Sequence, residues 1–507
     1  MAQQLQSVSI AAPGFFGMNT QDSPVESPPR FASIALNCVI DQYGRVGARK
    51  GYSYITTNAA AISGGNGLTT IYEYIKKSDG TKVVFSTGNN KLLTGTVTLV
   101  DATPASYTIT AEDWKIVEVN EKVYFFQRGY EPCVYSESTG TIQKMSAVSG
   151  SAGTPPQANE ALGAFGRLFV ADFTTDKHTI YWSDLLQGHK WSGGSSGSLN
   201  INKVWPRGAD EIVALAQHNN FLVIMGRRST IIYGGMDDPS TMAVTDIIDN
   251  VGCIARDSVQ NTGADILWLS EHGVQSLGRL VQEKSAILKD ISRNVRNDIT
   301  NYITLETGII KSVYSTVEAF YLVTFPYSGI TYCFDMRGML EDGSARTTIW
   351  NKIEPKCFHV NKAGNLYMGH DTGITLFDEY NDGTATYSME YFSNPMSFGN
   401  ATTLKFVKKI AMTIIGGAGA ITNLQWAYDY LFNYRSSAYT LSSGSIAEYN
   451  VAEFNVGEYS TGVVITRPSI NASGSGFVAT IGITSEIDGA ALSIQQIDVL
   501  ALMGRLV

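Results

Sequence analysis

Val83-Val84-Phe85, Val123-Tyr124-Phe125, Leu168-Phe169-Val170, Phe221-Leu222-Val223, Ile266-Leu267-Trp268, Phe320-Tyr321-Leu322 and Leu366-Tyr367-Met368 are seven versions of one short apolar run. Their first residues are spaced 40, 45, 53, 45, 54 and 46 positions apart. About ten residues after each comes a second aromatic or β-branched run. Examples are Cys133-Val134-Tyr135, Thr179-Ile180-Tyr181-Trp182, Ile231-Ile232-Tyr233 and Ile374-Thr375-Leu376-Phe377. Strand pairs returning every ~40–50 residues predict a β-propeller, in which each blade buries its apolar faces against the next. The ring then closes to protect its sheet edges. Two β-sandwiches with evenly spaced strands are the competing architecture.

At 507 residues the chain is long enough for two or three domains. Charged residues make up 16%, against a usual ~25%, while 49 glycines and 26 tyrosines are high counts. That balance suits an all-β chain with many turns. A net charge of −9 argues against a protein that reads nucleic-acid sequence, since such domains are usually basic. It leaves room for a surface past which nucleic acid slides without sticking.

Cys38, Cys133, Cys253, Cys333 and Cys357 are odd in number, scattered and never in a C-x-x-C pair, which predicts buried free thiols. Met1-Ala2-Gln3-Gln4-Leu5 has neither basic residues nor an apolar run, so no secretory signal is expected. The stretch Ile410 to Ile421 is too short and too glycine-rich to span a membrane, so no stable membrane insertion is expected.

Three regions follow. Residues 1–60 form an N-terminal arm with the first strands of a platform, including the proline-rich Ser23-Pro24-Val25-Glu26-Ser27-Pro28-Pro29-Arg30, expected to run extended. This arm is either a strap on its own domain or a docking strand for a neighbour. Residues 61–385 carry the propeller, of six to seven blades, with a helical insertion near 284–305. There Leu288, Ile291, Val295, Ile299 and Tyr302 make one apolar stripe. Lys289, Arg293 and Arg296 recur on another side. They are read either as a patch facing DNA or a neighbouring subunit, or as a solvated face balanced by Asp290 and Asp298. Residues 386–507 shift toward Gly, Ser, Thr and Ala and read as a sandwich-like β domain. A five-residue repeat runs through Ala447-Glu448-Tyr449-Asn450-Val451, Ala452-Glu453-Phe454-Asn455-Val456 and Gly457-Glu458-Tyr459. Period five fits neither strand nor helix, so an irregular segment is expected. Tyr449, Phe454 and Tyr459 suit either a subunit interface or ordinary packing.

Catalytic signatures are lacking. There is no G-x-S-x-G, H-E-x-x-H, Walker or dinucleotide fingerprint, and no two of the six histidines sit at short ligand spacing. Neither cofactor nor metal is expected, and the chain reads as a non-enzyme. Asp371-Thr372-Gly373 is faintly similar to the aspartate-box turn of sialidases but occurs once and lacks the preceding Ser or Thr; a hairpin turn explains it.

Gly17, Ser23 and Pro24 in Gly17-Met18-Asn19-Thr20-Gln21-Asp22-Ser23-Pro24 resemble the G-x-x-x-x-x-S-P opening of nozzle and tail-hub proteins of short-tailed bacteriophages. Asn37 after Ala35-Leu36, the turn glycine Gly44, and Arg49-Lys50-Gly51-Tyr52 continue the similarity, although Ala48-Arg49-Lys50-Gly51 departs from the usual Arg-Arg/Lys-Pro-Gly. The glutamate–aromatic repeat and the ending from Gly482 to Arg505 resemble the same proteins. The resemblance implies a virion protein made in the host cytoplasm. It implies a homohexameric ring below the portal and adaptor, contacted by tail fibres or spikes. Genomic double-stranded DNA would pass through the ring without sequence readout. A glycan-binding or glycan-cleaving propeller is the alternative.

Overall fold

The computed structural model describes residues 5–58, 62, 67–105, 107–109, 113–283, 290–431, 433–441 and 464–504. Each of the seven quoted runs is the second strand of an antiparallel set, six of them in small sheets of their own. The first blade is built from Leu68–Ile75, Lys82–Gly88, Lys91–Thr94 and Val100–Asp101. The second runs from Lys115–Val119 to Thr141–Lys144, the third from Glu160–Ala164 to Gly197–Asn200, and the fourth from Ile212–His218 to Ala243–Ile248. The fifth has three strands, Gln260–Asn261, Ile266–Ser270 and Gly273–Ser276, followed by the helix Leu277–Glu283.

The second strands read as unbroken apolar runs because both their faces are covered by neighbouring blades. Every residue of Arg167–Ala171, Ile266–Ser270 and Phe320–Phe325 is buried. Between the first two blades, Phe85 meets Phe125 edge to face at 5.3 Å between ring centres. All five cysteines are buried free thiols, as their odd number and scatter along the chain predict.

Six blade sheets are self-contained; a seventh blade-like set, Lys311–Ser315 to Ala345–Asn351, is the start of a nine-stranded sheet that runs on into the platform. The ring closes with a strand from elsewhere. Cys357–Val360, Leu366–His370 and Gly373–Leu376 take Ser53–Tyr54 as their fourth strand, pairing Thr375 with Tyr54. The propeller therefore begins before residue 61, inside the stretch assigned above to the arm. Two residues give no readable strand period, so only the pairing reveals them.

The platform is a sandwich built by both ends of the chain. Its nine-stranded sheet continues through Ala32–Leu36, Tyr387–Ser393, Ala479–Ile487, Ile421–Tyr428 and Arg435–Thr440. A seven-stranded sheet is centred on Leu492–Met503 and Lys405–Gly416, and Leu5–Ala11 forms one of its outer strands. Met412, Ile494 and Val499 from one sheet share a core with Met389, Trp426 and Ile483 from the other.

Two local expectations change. The proline-rich arm folds into turns: the Ser23 carbonyl accepts from the N–H groups of Glu26 and Ser27, each at 3.0 Å, with Pro24 between. It is a strap on its own platform, where Asn394 Nδ2 donates to Ser27 Oγ at 2.7 Å. The insertion helix starts later than 284, covering Arg296–Leu305 after a short 3₁₀ turn at Arg293–Val295. Ser292 Oγ donates to Asp290 Oδ1 and accepts from the N–H of Val274, and such side-chain bonds compete with helix continuation. The stripe survives: Ile291, Val295 and Ile299 are buried in the platform core with Tyr302 against them. Leu288 and Lys289 lie outside the described residues.

Candidate functional site

The N-terminal motif converges on the seam between platform and propeller. Asn37 takes a left-handed backbone (φ 53°), which Asn tolerates better than most residues. Its Nδ2 donates to the Ser388 carbonyl at 2.7 Å and to Asn351 Oδ1 at 2.8 Å. Its Oδ1 accepts from Arg49 Nε at 3.0 Å and from the N–H of Asn351 at 3.0 Å. Arg49 is wholly buried and donates through Nη1 and Nη2 to Asp382, both at 2.7 Å. Its guanidinium lies 4.1 Å above the Tyr387 ring, whose hydroxyl donates to the Arg49 carbonyl. One arginine thus joins the N-terminal strands, the blade-like set ending at Asn351 and the segment leaving the last blade.

The motif glycines serve the same seam. Gly17 (φ 77°) pairs with Thr347, and a Cβ there would lie 2.6 Å from the Thr347 backbone. A Cβ on Gly51 would lie 2.0 Å from the Asn381 carbonyl oxygen. Gly44 closes a turn by donating to the Asp41 carbonyl at 2.9 Å. Beside the seam opens a cleft of about 890 Å³, with Tyr43, Arg45, Lys50, Glu318, Arg337 and Ile465 among its lining residues.

The three-residue basic patch is divided. Arg293 pairs with Asp342 at 2.5 Å and Asp22 at 3.5 Å, and Arg296 with Asp290 at 2.9 Å. Arg293 and its helix hold the motif loop: Arg293 reaches Asp22, the Thr20 N–H donates to the Asn294 carbonyl at 2.9 Å, and Thr20 Oγ1 donates to Asp298 at 2.5 Å. Lys289 and the repeat aromatics Tyr449, Phe454 and Tyr459 lie outside the described residues.

Sequence reading missed a charge network on the propeller axis. Asp113, ahead of the second blade, accepts from Arg256 Nη2 at 2.8 Å and from Lys311 Nζ at 3.0 Å. Arg256 and Lys311 also meet Asp257, at 2.8 and 2.5 Å. Glu160 at the start of the third blade lies 3.5 Å from Lys115 and 3.9 Å from Arg256. These contacts join the second blade to blades across the ring from it. Burial pushes the Glu160 carboxyl up to about 7 despite these cations, whereas Arg256, Lys311 and Lys115 hold Asp257 well below the ordinary carboxylate range. The partners stand 143 and 198 positions apart. The one local hint is a charged residue opening an apolar inner strand, as in Lys115-Ile116-Val117 and Glu160-Ala161-Leu162.

Among the described residues no group of three His, Cys, Asp or Glu side chains is arranged to hold a metal ion. Asp371 sits exposed in a hairpin turn and pairs with Lys356. No described helix is long and apolar enough to cross a membrane.

No protein-family model matches the chain, and no curated protein does. Solved structures do. The WD40 domain of Neurospora crassa Pan2 is 12% identical and covers 74% of this chain and 95% of its own, at a TM-score of 0.34. The WD40 propeller of Doa1 is 11% identical, with 64% and 96% covered and a TM-score of 0.35. The computationally designed Ika8 protein is 12% identical, with 65% and 99% covered and a TM-score of 0.38. Their overlap is low, and the propeller of this chain is established by its own strand pairing.

Proposed function

We propose that this chain is a structural subunit of the nozzle ending a short bacteriophage tail. Six copies form a ring attached to the adaptor and touched from outside by fibres or spikes, and genomic DNA is retained in the ring and then passed through it. The observation that carries this reading is the convergence of Gly17, Asn37, Arg49 and Gly51 on one seam. The positions that resemble the tail proteins are the ones that weld propeller to platform into a rigid block, as a wall element under DNA pressure requires. The charge network across the propeller axis supports a lumen lying between subunits and not inside one. The net charge of −9 suits a wall that duplex DNA slides past, because a net negative surface forms few phosphate contacts.

The reading is tested by cryo-electron microscopy of concentrated purified protein, classified without imposed symmetry. Six-lobed rings with an axial hole wide enough for duplex DNA are expected. Single particles that never form rings, together with capture of host polysaccharide in a glycan screen, would overturn it in favour of surface recognition.

A further inference from the structure

The strand Leu5–Ala11 has an unusual edge. It pairs along its whole length with Leu492–Met503, from Leu5 opposite Leu502 to Ala11 opposite Gln496, without a register shift. Among the described residues no strand covers its other side. Natural sheets protect such edges with charges, prolines, bulges or shortness. Leu5-Gln6-Ser7-Val8-Ser9-Ile10-Ala11 has no charge and no proline, and Leu5 is 58% exposed. The outer strand Ala243–Ile248 of the fourth blade, by contrast, carries Asp246 and a bulge. At the far side of the seven-stranded sheet, Ile465–Thr466 and Ser469–Asn471 are short and interrupted by Pro468.

One other long outer strand is nearly as bare. Arg435–Thr440 ends the nine-stranded sheet, pairing only with Ile421–Tyr428 among the described residues, and Arg435 is its single charge. Arg435 donates to Ser473 Oγ at 3.1 Å and meets no carboxylate among the described residues. Alongside Leu5–Ala11 runs a groove of about 600 Å³ lined by Val8, Pro24, Pro28, Phe398 and Tyr430, and its one charged side chain is Glu26. Glu26 likewise has no ion-pair partner among the described residues.

We infer that Leu5–Ala11 of one copy pairs edge to edge with Arg435–Thr440 of the next, and that Arg435 there answers Glu26. This rests on the ring assembly proposed above. The two edges differ, so the contact is head-to-tail and repeats from copy to copy until the ring closes. Backbone hydrogen bonds supply the attraction, and the lone charge pair sets which strand is accepted.

The test pairs a cysteine at Ser7 or Ser9 with one at Ser436 or Ala438. The native cysteines are all buried, so the background is silent. Under mild oxidation at least one pair should give a covalent ladder up to the hexamer on a non-reducing gel, while each single variant gives none. Glu26→Arg should raise the concentration needed for assembly about tenfold, and adding Arg435→Glu should restore it. Rings seen by light scattering that yield no ladder with any pair and ignore Glu26→Arg would overturn this contact and leave the nozzle reading standing. Ser7→Cys alone giving a dimer would overturn it too, in favour of a symmetric contact. Monomers at every concentration would sink both readings.

Discussion

Arg49 and Asp382, 333 positions apart in sequence, meet in a two-armed ion pair with both arms at 2.7 Å, buried between platform and propeller. Two hydrogen bonds in one plane specify orientation as well as attraction. The remaining guanidinium donors are spent on Asn37, the Lys50 carbonyl at 3.0 Å and the Asn351 carbonyl at 3.1 Å. Every donor is answered, which is the condition under which a buried charge is tolerated.

Asp382→Ala or Arg49→Met should therefore destabilise the protein by about 3–5 kcal/mol, because each leaves the other charge buried alone. The double variant Arg49→Met/Asp382→Leu should recover a substantial part. Denaturant unfolding followed by tryptophan fluorescence measures all three. Single variants within ~1 kcal/mol of wild type would show that the seam does not depend on this pair.

Gly51→Ala should cost about 1–3 kcal/mol, since its Cβ would lie 2.0 Å from a backbone oxygen, at Asn381, that has no rotamer with which to retreat. The loss should appear as a lowered melting temperature. An unchanged melting temperature would mean that the seam opens freely there.

Glu160 carries a pH signature. Its carboxyl ordinarily titrates at 4.5 and is pushed to about 7 by burial, so the folded state holds this proton more tightly than the unfolded one. Stability from this group is full below about 4.5 and falls as pH rises toward 7. Glu160→Gln removes that loss. Its stability relative to wild type should thus rise by about 2–3 kcal/mol between pH 5 and pH 8. Unfolding titrations at both values check this, and a gap independent of pH would refute the buried carboxyl's role.

Arg296→Glu sets a carboxylate against the buried Asp290 and should cost about 3–5 kcal/mol. Arg293→Glu should loosen the motif loop by only about 1 kcal/mol, because it and its loop partner Asp22 are partly exposed. Faster proteolysis near Thr20–Pro24 would report it. If the arginines act only through these pairs, ejection of DNA from assembled particles should continue. A block in ejection with the loop intact would return them to the lumen.

How far could the chain be read without its fold? The blades were legible, since inner strands covered on both faces leave dense apolar runs, as in Phe320-Tyr321-Leu322. The stripe Ile291, Val295, Ile299 was legible for the same reason, although the helix start was misplaced by side-chain bonds at Asp290 and Ser292. The motif positions Asn37 and Arg49 stood out by resemblance, but neither Asp382 nor the cross-axis partners of Asp113 did.

Sequence alone determined the repeating strand pairs, the buried thiols and the apolar stripe, because each follows from burial acting on residues close in the chain. The tertiary structure decided that Ser53–Tyr54 closes the ring, that both termini build one sandwich, and that Arg256 and Lys311 cross the axis to Asp113. Those relationships are made by hydrogen bonds and charges between distant residues. Such bonds depend on where strands meet and leave no period in the chain that carries them.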